Sequence, residues 1–251
     1  MTTNNLNENI SVFQVSGDVD PFLIVNLNDK EKIFCESDAM VYMDGALDLT
    51  GKMNGGFFQA FFRKLANGES FFQQEIVANR GNGMALLAPN SPGGIQILKI
   101  DNQNQFYVSD GAYLAATSGV SLNAKTQSIT GALFGGNGGF FIGETSGNGY
   151  LAVTGFGSLQ VLDIDTTQDN QDCVIDNGHI VAWDKNLRYK ISTSTNKSKG
   201  LLGSIVNSMI SSEGLVMRFS GKGKAIVCSR NRGNYIAQLA AQLGLNNNNN
   251  S

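Results

Sequence analysis

The chain holds one histidine, His179, and three cysteines, Cys35, Cys173 and Cys228, with no Cys-x-x-Cys pair. Borderline metals prefer imidazole nitrogen, and a catalytic centre normally gathers two or three such ligands with a carboxylate. One histidine does not build that within one chain. A Ser-His-Asp triad would have to use His179, and no Gly-x-Ser-x-Gly elbow sits on a strand-to-helix turn. Gly200 to Val206 lacks the Gly-Lys-Ser/Thr ending of a phosphate loop. Gly135-Gly-Asn-Gly-Gly139 offers backbone N–H groups to an anion, but reads better as a flexible hairpin. Glu36, Asp44, Glu69 and Asp184 are the carboxylates that would have to converge for glycoside cleavage, and no spacing demands it. The expectation is therefore a non-enzymatic protein, with no catalytic residue, cofactor-binding residue or metal ligand assigned.

The elements that would position any site come in three similar blocks. Asp38 to Leu49, Asp110 to Leu122 and Asp176 to Tyr189 each run from an acidic residue through a short apolar run and a polar turn to an alternating strand. Their spacing is near seventy residues, the mark of a duplicated supersecondary unit. Downstream of each block come a glycine, an apolar pair and a Gly-x-Gly turn: Gly81-Asn-Gly83, Gly147-Asn-Gly149 and Gly221-Lys-Gly223. Such turns between apolar runs signal tight hairpins, because positive φ is tolerated there. Gly94-Ile-Gln-Ile-Leu-Lys-Ile-Asp101 and Ser158-Leu-Gln-Val-Leu-Asp-Ile-Asp165 match upstream. Cys35 and Cys173 each precede a block's aspartate by three residues, where the second block has Tyr107, so this reads as a packing position. His179 aligns with Met40 and with Tyr113 or a near neighbour, which makes it a structural residue at a strand start.

Strands are expected throughout, with helices at three places. Gly56 to Leu65 puts Phe57, Phe58, Phe61, Phe62 and Leu65 on one helical face, and Leu201 to Ile210 does the same with Leu202, Ile205, Val206, Met209 and Ile210. Phe57, Phe58, Phe61 and Phe62 form the candidate interaction surface. The preferred reading is a cap on the β core, against a membrane or partner contact. A terminal amphipathic helix over 234–245 presents Ile236, Leu239, Ala240 and Leu243. Packing on its own domain is preferred to packing on a neighbouring subunit.

Net charge is −3 with a pI near 5.2, which disfavours nucleic acid, whose phosphates need a basic face. Charged residues are 16%, below the ~25% of ordinary domains, and thirty glycines accompany three prolines, as in a β-rich chain that turns often. The sparse charge leans toward self-association. An odd cysteine count without a visible signal or transit peptide points to a reducing, cytoplasmic setting. No run approaches the ~20 apolar residues that span a bilayer.

Glu36-Ser-Asp-Ala-Met-Val-Tyr-Met-Asp44, Gly68-Glu-Ser-Phe-Phe72, Pro92-Gly93, Asp176-Asn-Gly-His-Ile-Val-Ala-Trp-Asp184 and Glu213-Gly-Leu-Val-Met-Arg-Phe-Ser-Gly221 carry a family signature. The chain resembles, from about Val19 to Arg230, the mitochondrial biogenesis family called altered inheritance of mitochondria, member twenty-four, with its bacterial relatives. The resemblance implies a fold like that of the tryptophan RNA-binding attenuator protein, a pseudo-threefold axis and trimers. It brings no catalytic residues. It also implies a mitochondrial setting as the alternative to the cytoplasmic one.

Together these readings give an all-β protein: three similar β-sandwich or double-stranded β-helix units in a pseudo-threefold arrangement, with short helical insertions and a C-terminal helix. The expected layout is a disordered 1–9, a single domain over 10–245 with repeats at about 20–90, 91–155 and 156–230, and a disordered Asn-rich tail at 246–251. The expected function is a self-associating scaffold or binding protein. A ligand site between units, or peripheral membrane contact through the phenylalanines, is the alternative.

Overall fold

The computed structural model describes residues 12–51, 74–128, 139–168, 171–192 and 215–244. The phenylalanine-rich segment with Phe57, Phe58, Phe61 and Phe62, the expected helix at 201–210 and the two expected disordered ends lie outside the described residues.

The described chain is all-β apart from one terminal helix and a short 3-10 turn. A four-stranded sheet runs in the order β1 (Phe13–Ser16), β2 (Phe22–Leu27), β7 (Gly83–Leu87), β4 (Met40–Met43). A six-stranded sheet follows: β5 (Leu47–Thr50), β6 (Gln74–Ala78), β3 (Lys32–Cys35), β10 (Tyr113–Thr117), β13 (Gly149–Thr154), β8 (Ile95–Ile100). A second six-stranded sheet takes β11 (Val120–Ser128), β12 (Gly139–Gly147), β9 (Phe106–Ser109), β16 (Ile180–Asp184), β19 (Lys222–Cys228) and β14 (Leu159–Asp165). A three-stranded sheet closes the set with β15 (Cys173–Asp176), β18 (Val216–Ser220) and β17 (Arg188–Ser192). The pairings within these sheets are antiparallel.

Alternation explains the packing of the half-buried strands. In β2 every second residue turns inward, so Leu23, Val25 and Leu27 are buried while Phe22 and Asn26 are exposed. Longer runs such as β10, with Tyr113, Leu114, Ala115 and Ala116 all buried, lie in sheet interiors. Three register shifts bend the ladders: between Met40 and Tyr42 on β7, between Tyr113 and Ala115 on β13, and between Ile180 and Ala182 on β19. A bulge adds one residue to a strand and sharpens its twist, which lets neighbouring sheets wrap the same core.

The core divides into three contiguous clusters. The first centres on Phe13, Leu23, Ile33 and Leu87, and the second on Ile100, Val120, Leu122 and Leu151. In the third, Trp183 is fully buried and its ring meets Tyr107, Tyr189 and Phe219 at centroid distances of 5.2 to 5.9 Å. Such tilted and edge-on contacts add to the area that aromatics bury.

Helix α1 (Arg232–Gln242) begins two residues earlier than the sequence suggests and ends three earlier. Asn231 caps it, its side chain accepting from Asn234 N at 3.1 Å. The expectation that its apolar face packs on its own domain fails: Tyr235, Ile236, Leu239 and Leu243 are all exposed and no helix residue is buried. The amphipathic period is real, but it does not lead to burial of the apolar face. Among the described residues, Tyr235 meets the body through its ring, which lies 5.1 Å from that of Phe156.

Candidate functional site

His179 ends the 3-10 turn Asn177–His179, which Asp176 starts by accepting from Gly178 N at 2.7 Å. Its Nδ1 donates to the Cys228 carbonyl at 2.8 Å, which fixes the tautomer and ties the turn to the end of β19. The residue is therefore committed to the fold. Among the described residues no group of three or more His, Cys, Asp and Glu side chains has metal-binding geometry.

Glu69 lies outside the described residues. Asp44 and Asp184 serve their own turns. Asp44 accepts from Tyr42 Oη at 2.6 Å and Met84 N at 2.8 Å, bonds that hold its carboxyl below its usual range. Asp184 accepts from Asn186 N at 2.8 Å. The thiols are poorly placed for nucleophilic work, since only the thiolate attacks. Burial pushes Cys35 up to about 12, with Glu36 adding to it, and loss of water raises Cys173 and Cys228 as well.

Glu36 is the carboxylate that the fold changes most. It follows β3, its backbone N–H donating to the Leu114 carbonyl at 2.8 Å, so its side chain is half-buried at the β3–β10 junction. Loss of water raises it to about 7, and Asp38 adds to this; a hydrogen bond from Asn90 and the charge of Arg232 pull the other way. Asp110, after β9, is raised by the same loss of water, against a backbone bond from Gly111 and the charge of Arg232. Arg232 opens α1, and a methyl group placed on Gly111 would lie 3.7 Å from its guanidinium. Asn231 packs more closely still on Gly178, where an added Cβ would lie 1.9 Å from the Asn231 amide. Three loops far apart in sequence, around 36, 110 and 178, thus meet the start of α1. The arrangement sets two desolvated carboxyls in the field of one guanidinium. The sequence singled out Glu36 as one of four carboxylates and as the first residue of a signature segment. It marked Asp110 only as the aspartate that opens the second block and did not bring it together with Glu36 or Arg232, because their meeting depends on long-range topology.

A groove of about 750 Å³ runs past the starts of β2, β8 and β14. Asp18, Asp20, Gly93, Phe156, Gly157 and Arg230 are among its lining. Gly93 and Gly157 form a parallel bridge across its floor, and Arg230 lies over the Phe156 ring at 5.9 Å.

The fold and these features define an all-β protein of antiparallel sheets, with open apolar surface and a small polar junction at the base of its helix. The chain matches the family described as Mitochondrial biogenesis AIM24 over residues 13–230, and it belongs to that family. An uncharacterized protein of Streptococcus pyogenes serotype M6 is 31% identical over 234 residues, covering 91% of this chain and 89% of that protein. A crystal structure of a Streptococcus pyogenes protein superposes with a TM-score of 0.73 at 29% identity, over 92% of this chain and 98% of that one. Among the described residues no helix is long and apolar enough to cross a membrane.

Proposed function

We propose that this chain is a non-enzymatic, self-associating scaffold or binding protein of the mitochondrial-biogenesis type, made of three look-alike units with a fold like the tryptophan RNA-binding attenuator protein and working as a trimer. The observation that carries the self-association is where the exposed large apolar residues lie. Tyr235, Ile236 and Leu239 share one helix with Leu243 at its C-cap, Val41, Tyr42 and Val174 stand on two strands, and Val19 and Phe22 lie just before and at the start of β2. Scattered apolar surface is ordinary, whereas apolar surface gathered on particular elements marks a contact. The three-unit reading is supported by the three one-residue register shifts, at Met40, Tyr113 and Ile180, each in a strand paired to the one that follows a Gly-x-Gly turn. Light scattering across a hundredfold range of concentration tests the self-association: a mass of several chains is expected, and one chain's mass throughout would refute it.

A second reading rests on the groove beside Gly93 and Gly157, which has the size of a small-ligand site. A thermal-shift panel of small anions, nucleotides and sugars addresses it. A shift abolished by Arg230→Ala would favour a binder, and no shift from any compound would discard the reading.

A further inference from the structure

We propose that β4 and β15 are the two halves of one joint between copies of this chain. β15 of one copy adds antiparallel to the outer edge of β4 of the next, with Ile175 opposite Tyr42, Val174 opposite Met43 and Cys173 opposite Asp44. This rests on the self-association proposed above, and it names its surface and its occupant.

The chain makes the same joint twice within itself. β3 pairs with β10 through Cys35–Ala115, Phe34–Ala116 and Ile33–Thr117. β9 pairs with β16 through Val108–Ala182, Tyr107–Trp183 and Phe106–Asp184. Neighbouring ladders fix the corresponding positions. Phe34 faces Glu75, Tyr107 faces Glu144 and Val174 faces Arg218, so β15 stands where β3 and β9 stand. Tyr42, Ala115 and Ala182 each follow a one-residue bulge, so β4 stands where β10 and β16 stand.

Yet β3, β9, β10 and β16 are interior strands, whereas among the described residues β4 and β15 each end a sheet. The burial differs accordingly. Leu114, Ala115 and Ala182 are fully buried and Val181 is 2% exposed, while their counterparts Val41 and Tyr42 are 55% and 46% exposed. Val174 is 38% exposed. Neither Met40-Val-Tyr-Met43 nor Cys173-Val-Ile-Asp176 carries the lysine or proline that usually protects a free edge.

Backbone direction agrees. Asp44 N donates to Met84 on β7 at 2.9 Å, so the N–H and C=O of Met43 point outward. In the internal joints the bonds Glu36 N to Leu114 O and Lys185 N to Gln105 O, both 2.8 Å, flank non-bonded pairs. By that alternation Val174–Met43 is the bonded pair and Val174 N–H points outward. A second copy fits better than an unrelated strand, because one chain carries both complementary halves. The contact is head-to-tail, so copies close into a ring or run on as a filament.

Mixed-chain cross-linking tests the joint. A tagged Asp44→Cys/Cys173→Ser chain is co-expressed with the wild-type chain and oxidised mildly. The introduced thiol at position 44 then faces the native Cys173 of a neighbour, in a non-bonded pair whose Cα separation of about 4.5 Å suits a disulfide. A disulfide dimer is expected from the mixture and none from the double variant alone. Val174→Pro supplies the independent readout, since it removes an outward N–H and leaves the ladder to β18 intact. It is expected to keep a cooperative melt and give the mass of one chain. Assembly that Val174→Pro leaves unmoved, without the cross-link, overturns the joint but not the self-association. A wild-type monomer at every concentration overturns both. An intrachain cross-link in the single Asp44→Cys variant also overturns the joint, since the edges would then meet within one molecule. If the double variant fails to fold, the mass of Val174→Pro decides.

Discussion

Glu36 sits at about 7 in the folded chain, against 4.5 for an ordinary glutamate, chiefly because its carboxyl has lost water. Below about pH 4.5 the folded and unfolded states both hold its proton, and above about pH 7 both have released it. Between these limits the folded state binds more protons, so stability falls as pH rises. Glu36→Gln removes this dependence. The variant should melt above wild type at about pH 8, by ~2–4 °C for each kcal/mol relieved, and converge with it near pH 4.5. A lower melting point at about pH 8 would mean that the pull of Arg232 outweighs desolvation. Gly93 carries a different constraint. A Cβ there would lie 1.9 Å from the Gly155 carbonyl oxygen and 2.7 Å from Gly157 N, both rigid backbone. Gly93→Ala should therefore lower the urea midpoint, by ~2 kcal/mol or more of stability; an unchanged midpoint would mean that the floor of the groove can move. The sequence flagged Gly93 through the Pro92-Gly93 pair of the family signature, but not the close approach behind it. It aligned Asp38, Asp110 and Asp176 by residue type. The ladders instead put Glu36, Ser109 and Asp176 in corresponding places, one residue past Cys35, Val108 and Ile175. Acid groups recur in these turns without keeping register, and backbone pairing alone fixes which position is which.

At the scale of elements, strand periodicity was legible wherever one face is buried and the other wet, as in β2 and in the start of β3. Less legible was how far a strand runs. β11 runs on to Ser128 against β12, because cross-strand bonding carries it past the apolar residues Val120 and Leu122. Helix α1 was legible as a helix, from its apolar spacing, but not as an exposed one. Its stability rests on the Asn231 cap and the Tyr235–Phe156 contact rather than on buried residues. Asn231→Ala removes an acceptor from the first turn, a loss of ~0.5–2 kcal/mol for the helix. Since α1 adds little to the core, the change should speed amide exchange over 232–242 while the exchange of β13 and β19 and the global melt stay as they were. Faster exchange throughout, or a global loss of stability equal to the local one, would show that the helix unfolds together with the sheets.

At the scale of the whole molecule, the all-β class followed from composition and turn spacing, but the long-range strand pairings did not. The pairings β3–β10 and β9–β16 join residues about eighty apart, and no local pattern encodes them. Their consequence is thermodynamic. If folded copies associate through β4 and β15, assembly removes folded monomer from the unfolding equilibrium, and the melting temperature must rise with protein concentration. A chain whose edge is closed by proline has no such linkage. Wild type should therefore melt progressively higher as concentration rises from about 1 to 100 μM, while Val174→Pro melts at one temperature throughout and meets wild type at the dilute end. The dilute limit separates the two causes of a lower melting point. A variant damaged in its own fold stays below wild type even where both are monomers, whereas one that has lost only its neighbour does not. Parallel rising curves for the two proteins would place the association on another surface, the exposed face of α1 being the next to alter.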